Sequence, residues 1–141
     1  MLIGRYFHNI DAKGRVSMPA KFRDDLGGRF VLSCGRGQCL QVYSVEEWTK
    51  FETELLALKG KEANILKQFF FSNSTECEID AQGRVLLPAD YRDYAGIKRE
   101  TAFIGMSDHV EIWDKAAWDA QTAKPEFTPQ GIEELMENLG L

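Results

Sequence analysis

Residues 11–27 read DAKGRVSMPAKFRDDLG, and residues 80–96 read DAQGRVLLPADYRDYAG. At an offset of 69 residues, ten of the seventeen positions are identical. The matches include Asp11/Asp80, Gly14/Gly83, Arg15/Arg84, Pro19/Pro88, Arg23/Arg92 and Gly27/Gly96. After a one-residue slip, Gly35/Gly105, Tyr43/Trp113 and Trp48/Trp118 align at an offset of 70. Self-similarity at a fixed spacing marks a duplicated supersecondary unit. The chain is therefore read as two tandem copies of a unit of roughly 45 residues.

Each copy carries the same local signals. A β-prone stretch comes first, Ile3–Ile10 or Ser74–Ile79. Asp-Ala-Lys-Gly (11–14) and Asp-Ala-Gln-Gly (80–83) then read as hairpin turns, with Asp bonding downstream backbone N–H groups and Gly taking the left-handed position. Return strands follow at Arg15–Met18 and Arg84–Leu87. Pro19 and Pro88 fit the first position of a short helix, where a missing N–H is harmless. Those helices are expected over Ala20–Leu26 and Ala89–Ala95, ending at Gly27 and Gly96. A second hairpin is expected in each copy, Arg29–Cys34 with Cys39–Tyr43 and Thr101–Gly105 with His109–Trp113.

The stretch between the copies reads as two helices. Ser44-x-x-Glu47 is a capping box, and Val45, Trp48, Phe51, Leu55 and Leu58 keep a helical stripe. Lys59-Gly60 breaks it, and Ala63, Leu66, Phe69 and Phe70 begin a second stripe. Asp114 caps a short helix through Trp118. Pro125–Pro129 reads as a loop, and Gly131–Leu141 as a short acidic amphipathic helix. The expected domains are 5–47 (first unit), 48–75 (helical insert), 76–119 (second unit) and 120–141 (tail). Trp48 and Trp118, equivalent in the repeat, are expected in the core.

A unit this small cannot bury enough apolar surface alone. Two copies in one chain supply each other's partner, so strands of both should intermix in a pseudo-twofold α+β domain. The symmetry would display two turns, each with an arginine directly after its glycine. Matched cationic tips suit a repeating polyanion such as DNA. Turn chemistry alone explains Asp11, Asp80, Gly14 and Gly83. It does not explain Arg15 and Arg84, since an exposed Asp–Arg pair contributes only about 0–1 kcal/mol. Those two are the expected anion contacts. Lys13 becomes Gln82 in the second copy, so any contact it makes is unsymmetrical. Arg23 and Arg92, with Asp24 and Asp93 adjacent, read as salt-bridged helix faces.

Composition bounds the reading. The 141 residues carry a net charge of −5 with 44% hydrophobic residues, an ordinary globular profile rather than a diffuse polycation. The charge is unevenly placed: residues 1–37 hold seven Lys/Arg against three Asp/Glu, and residues 107–141 hold two against eight. A local anion-binding face is compatible with that distribution. No apolar run is long enough to span a membrane, and the N-terminus does not read as a signal peptide, so a cytoplasmic protein is expected. Three cysteines (Cys34, Cys39, Cys77), without CxxC spacing, fit that compartment.

The paired segments, each with Asp-x-x-Gly-Arg leading to Pro, resemble the MraZ family, bacterial regulators built from two tandem AbrB-like swapped-hairpin units. The resemblance spans nearly the whole chain. It implies an α+β, β-barrel-like core of swapped hairpins with short helices and a helical insert. It also implies a sequence-specific DNA-binding transcriptional regulator. Such a protein acts on direct repeats upstream of the division and cell-wall gene cluster, including its own gene. A ring-shaped homo-oligomer, nucleoid association, and no cofactor, metal or small-molecule substrate are implied too. The motif maps onto Asp11, Lys13, Gly14 and Arg15, and onto Asp80, Gly83 and Arg84. Arg15 is the expected base reader, with Arg84 either a second reader or a support for a neighbouring subunit.

Three other readings compete. An enzyme is disfavoured because His8 and His109 lie near no Ser or Cys nucleophile arrangement, and Cys34/Cys39 lack a second ligand pair for zinc. A helix-turn-helix around Lys59-Gly60-Lys61 would offer Phe69-Phe70-Phe71 where base-edge donors are needed. An oligomeric scaffold or interaction module without DNA binding is the third.

Overall fold

The computed structural model describes residues 1–141. Eight strands run Arg5–Asn9 (β1), Arg15–Ser17 (β2), Arg29–Cys34 (β3), Leu40–Ser44 (β4), Ser74–Glu78 (β5), Arg84–Leu86 (β6), Glu100–Gly105 (β7) and Val110–Asp114 (β8). Six α-helices run Ala20–Leu26 (α1), Val45–Ala57 (α2), Lys61–Ser72 (α3), Ala89–Ala95 (α4), Lys115–Thr122 (α5) and Pro129–Asn138 (α6). Six strands form an antiparallel sheet in the order β1-β7-β8-β4-β3-β5, and β2 and β6 form a separate two-stranded ribbon.

The copies exchange strands. β1 of the first copy pairs with β7 of the second, β5 of the second pairs with β3 of the first, and β4 meets β8 at the sheet's centre. In the ribbon Val16 faces Val85, and in the sheet Gln41 faces Glu111. Each is opposite its own repeat mate, so a local twofold axis passes through both pairs. This is the intermixing that the small size of the unit demands.

One face of the sheet meets the core. Phe30, Leu32, Leu40, Val42, Phe103, Val110 and Ile112 point inward against Val16 and Val85 of the ribbon and Phe22 and Tyr91 of α1 and α4. Full burial of each large apolar side chain stabilises by about 1.5–3 kcal/mol. Alternate residues point to the opposite face, as a period of two requires. There Tyr43 packs against Trp48 and Phe51 of α2, and Trp113 against Trp118 of α5.

The α+β class and the swapped pairing are as expected, but the sheet is not closed into a barrel: β1 and β5 remain its two edges. The turns at 11–14 and 80–83 do not zip β1 to β2 or β5 to β6 as hairpins. Each closes a single narrow pair, Asp11 N–H to Arg15 O (2.8 Å) and Asp80 N–H to Arg84 O (2.9 Å), before its strands diverge to different partners. Pro19 and Pro88 precede the first helical residues, with extended ψ of 132° and 151°. Trp48 and Trp118 are half-buried on the outer layer rather than in the core. The tail helix starts at Pro129, with Thr128 Oγ1 accepting from Gly131 N–H, and Pro125–Phe127 is a 3-10 turn rather than a loop.

Candidate nucleic-acid interface

The two turns are built alike, atom for atom. Asp11 Oδ1 accepts from the backbone N–H of Lys13 (2.9 Å) and Arg15 (2.9 Å), while its Oδ2 accepts from Arg15 Nε (2.8 Å). Asp80 does the same with Gln82 N–H, Arg84 N–H and Arg84 Nε, each at 2.9 Å. One carboxylate thus closes the turn and fixes the guanidinium plane. Backbone N–H donation from Arg15 and Arg84 is the largest influence and outweighs the opposing desolvation; with the guanidinium's hydrogen bond added, both carboxyls are held below the usual aspartate value of 3.8.

Gly14 and Gly83 supply φ of +83° and +78°, where a side chain is strained. They are also buried contact points between the copies. Gly83 O accepts from Met18 N–H (3.0 Å), and Gly14 O accepts from Leu87 N–H (2.8 Å). Each glycine's open face is covered by an arginine of the other copy. The Arg92 guanidinium lies where it would stand 3.2 Å from a Cβ on Gly14, and the Arg23 guanidinium would overlap one on Gly83.

Arg23 and Arg92 are therefore not the salt-bridged helix faces expected. Arg23 Nε donates to Met18 O and Arg92 Nε to Leu87 O, both at 3.0 Å, and neither guanidinium pairs with an aspartate. Their repeat at the 69-residue offset was visible in the sequence. What was not visible is that each reaches across to the partner turn.

The ribbon brings both turns onto one surface. Val16 and Val85 point into the core, so Arg15, Ser17, Arg84 and Leu86 share the outer face. Arg15 and Arg84 sit on a ribbon diagonal, about 7–8 Å apart at Cα. The two turns are close enough that Arg84 Nη1 lies 3.8 Å from Asp11 Oδ2. This contact is one-sided. Arg84 also donates from Nη2 to Gln82 Oε1 at 3.2 Å, so all three of its nitrogens have acceptors or a carboxylate nearby. Arg15 uses only Nε, and neither of its Nη groups has an acceptor in the chain. Lys13, at the tip of the first turn, is exposed.

A family model described as "MraZ protein, putative antitoxin-like" matches residues 1–68 and 70–134. The chain belongs to the MraZ family. A relative from Thermoanaerobacter sp. (strain X514), named "Transcriptional regulator MraZ", is 46% identical over 143 aligned positions covering all of both chains. Another of the same name, from Desulforamulus reducens (strain ATCC BAA-1160 / DSM 100696 / MI-1), is 45% identical over 99% of this chain and 97% of its own. A third, from Acetivibrio thermocellus (strain ATCC 27405 / DSM 1237 / JCM 9322 / NBRC 103400 / NCIMB 10682 / NRRL B-4536 / VPI 7372), is 41% identical over the whole of both chains. The matched segments of this MraZ-family chain contain both Asp-x-x-Gly-Arg turns. No helix is long and apolar enough to cross a membrane.

Proposed function

We propose that this chain is a sequence-specific DNA-binding transcriptional regulator that meets double-stranded DNA through the outer face of the β2–β6 ribbon. The observation that carries the reading is the pair of identical Asp–Arg turns locked side by side on that face. Each carboxylate bonds Nε of its arginine, and at Arg15 this leaves the Nη edge without an acceptor in the chain. Such an edge suits two parallel hydrogen bonds to phosphate oxygens or to guanine O6 and N7. The names of the full-length relatives support the same reading.

The contacts divide by what is already satisfied. Arg15, with two free Nη groups, reads base edges, and Lys13 beside it contacts phosphate. Arg84, whose nitrogens are occupied within the chain, supports the site and fixes Asp11. Asp11, Asp80, Gly14 and Gly83 hold the two arginines in place. Residues 5–47 and 76–119 are the DNA-facing units, 48–75 the helical insert and 120–141 the tail. The targets are direct repeats upstream of the division and cell-wall gene cluster, including the chain's own gene. A homo-oligomeric ring in the cytoplasm, associated with the nucleoid, would place several such faces along repeated boxes and gain avidity. The reading assigns no catalysis, cofactor, membrane contact or small-molecule substrate.

The test is fluorescence anisotropy of a labelled duplex carrying the repeats upstream of the gene, against a scrambled duplex, at two salt concentrations. Arg15→Ala is expected to lose most discrimination between the duplexes, a bidentate base contact being worth about 1–3 kcal/mol, with oligomer size unchanged. Arg84→Ala is expected to weaken binding to both duplexes without removing the preference. Equal wild-type binding to both duplexes, or binding indifferent to Arg15, would refute the reading.

A further inference from the structure

One large apolar side chain stands on the face that carries the two arginines. Leu86 is 54% exposed, and with Val16 and Val85 turned into the core it shares the outer face of the β2–β6 ribbon with Arg15, Ser17 and Arg84. At the 69-residue offset its repeat mate is Ser17. The ribbon therefore accepts a polar side chain at this position, and packing does not call for leucine there.

The ladder fixes Leu86 beside Arg15. Leu87 N–H bonds Gly14 O at 2.8 Å, and Met18 N–H bonds Gly83 O at 3.0 Å. The pairs next to these bonds, Arg15–Leu86 and Ser17–Arg84, are thus the non-hydrogen-bonded ones. Side chains stand closest in such pairs, whose Cα atoms are about 4.5 Å apart. Successive base pairs of DNA are about 3.4 Å apart, so a side chain directly opposite Arg15 falls on the base pair beside the one Arg15 reads. On its other side Leu86 borders a small cleft with Glu76 and Glu78 of β5. Both carboxylates are paired with Arg29, at 3.3 and 3.4 Å, so no unpaired acid stands next to the leucine.

A two-stranded ribbon fits the major groove, which is about 12 Å wide. The base edges there present hydrogen-bond donors and acceptors, and the one methyl group among them is that on C5 of thymine. We infer that Leu86 is a specificity residue of this face, packing on the C5-methyl of a thymine next to the base that Arg15 reads. This rests on the proposed DNA reading and names a base feature recognised beside the arginine. Ser17 offers no such contact at the Arg84 end, so the methyl is read at one end of the ribbon only.

The experiment is fluorescence anisotropy on two versions of the duplex carrying the repeats upstream of the gene. One has thymine, and the other has deoxyuridine at every thymine of the repeats, which keeps base pairing and removes only the methyl. Wild type, Leu86→Ser, Leu86→Met and Arg15→Ala are compared, with a circular dichroism melt of each as a folding control. Wild type is expected to bind the deoxyuridine duplex about fourfold more weakly for each methyl contacted. Leu86→Ser should bind both versions alike, as weakly as wild type binds the deoxyuridine one, and Leu86→Met should keep the difference. A wild type indifferent to the methyl overturns the assignment. So does a Leu86→Ser variant that still discriminates, because the methyl would then act through the shape of the DNA. A scrambled duplex in the same series separates the two levels. If wild type and Arg15→Ala bind repeats and scrambled duplex alike, the DNA reading falls and Leu86 with it. If the dependence on Arg15 stands and that on the methyl is absent, only the role of Leu86 falls.

Discussion

Replacing Gly83 by alanine probes how tightly the two copies interlock. The substitution has two costs. A φ of +78° places an L side chain in the left-handed region, at about 1–2 kcal/mol. The new Cβ also falls on the Arg23 guanidinium, which must move off and give up its bond to Met18 O. Hydrogen bonds to charged groups are worth about 1.5–3 kcal/mol, and half-burial of Arg23 argues for the lower end or below. Together these give roughly 2–3 kcal/mol. At Gly14 the backbone cost is the same, with φ of +83°, but a Cβ would stand 3.0 Å from Leu87 O and 3.2 Å from Arg92. Shifts of a few tenths of an ångström relieve that crowding, and Gly14→Ala should cost about 1–2 kcal/mol.

Urea unfolding at one fixed protein concentration separates the two. With m near 2 kcal/mol/M, Gly83→Ala should lower the midpoint by about 1–1.5 M and Gly14→Ala by about 0.5–1 M. The cause is checked by a double-mutant cycle. In an Arg23→Ala background the Gly83→Ala cost should shrink by about 1 kcal/mol, because the clashing group is gone. Additive effects in that cycle, or a Gly14→Ala variant less stable than Gly83→Ala, would refute the argument that Arg23 holds the second turn.

Three further outcomes are expected. The Asp11 and Asp80 carboxyls should titrate below 3.8 by carbon-detected NMR, because the Arg15 and Arg84 backbone N–H groups stabilise their ionised forms. Since the folded values are depressed, this contribution is present above the unfolded value and lost as pH falls through the folded one, so Asp11→Asn should flatten the acid limb of the stability profile. Burial pushes the Cys39 thiol up to about 12 and the Cys34 thiol to about 11, so Ellman's reagent at pH 8 should leave both unreacted for minutes in the folded protein and titrate all three cysteines in denaturant. Ser44 Oγ accepts from Glu47 N–H at 3.2 Å, and Ser44→Ala should cost about 1 kcal/mol by thermal melt, as should Asp114→Ala, which removes the matching cap on α5.

What the sequence discloses here is what local chemistry decides. Asp at the start of each turn, Gly three residues on and Pro before each helix act within a few residues of themselves, and α1 and α4 lie where those residues put them. Strand partnership is not local. Arg5–Asn9 and Arg15–Ser17 flank one turn, yet β1 goes to β7 and β2 to β6, because the turn closes only one narrow pair and apolar burial between copies decides the rest. The reach of Arg23 and Arg92 was hidden for the same reason: neighbouring Asp24 and Asp93 suggested an ion pair, while each Nε bonds a carbonyl five residues back, Met18 O or Leu87 O, and each guanidinium covers the turn glycine of the other copy, Gly83 or Gly14. Trp48 and Trp118 pattern as core on their helices, but the layer they face is the outer one, where a half-covered indole is sufficient.

Fusing the two copies into one chain has a consequence for recognition. In a homodimer, residues on the twofold axis must be identical; here Gln41 faces Glu111, avoiding the like-charge pair that two glutamates would make. Each then accepts from an aromatic on its own strand, Tyr43 Oη to Gln41 at 2.7 Å and Trp113 Nε1 to Glu111 at 2.9 Å. The same freedom separates the turns: Lys13 is Gln82 in the second copy, and Gln82 occupies an Nη of Arg84 while Arg15 stays free. A symmetric reader matches a palindrome, because each half-site meets the same side chains. On the proposed reading, a pseudo-symmetric reader with one arginine's Nη edge free and the other's occupied would have a direction, and its preferred box would not be palindromic. On the same proposed reading, copies assembled in one orientation would carry that direction with them, and the operator that suits them would repeat the box in one orientation rather than inverting it.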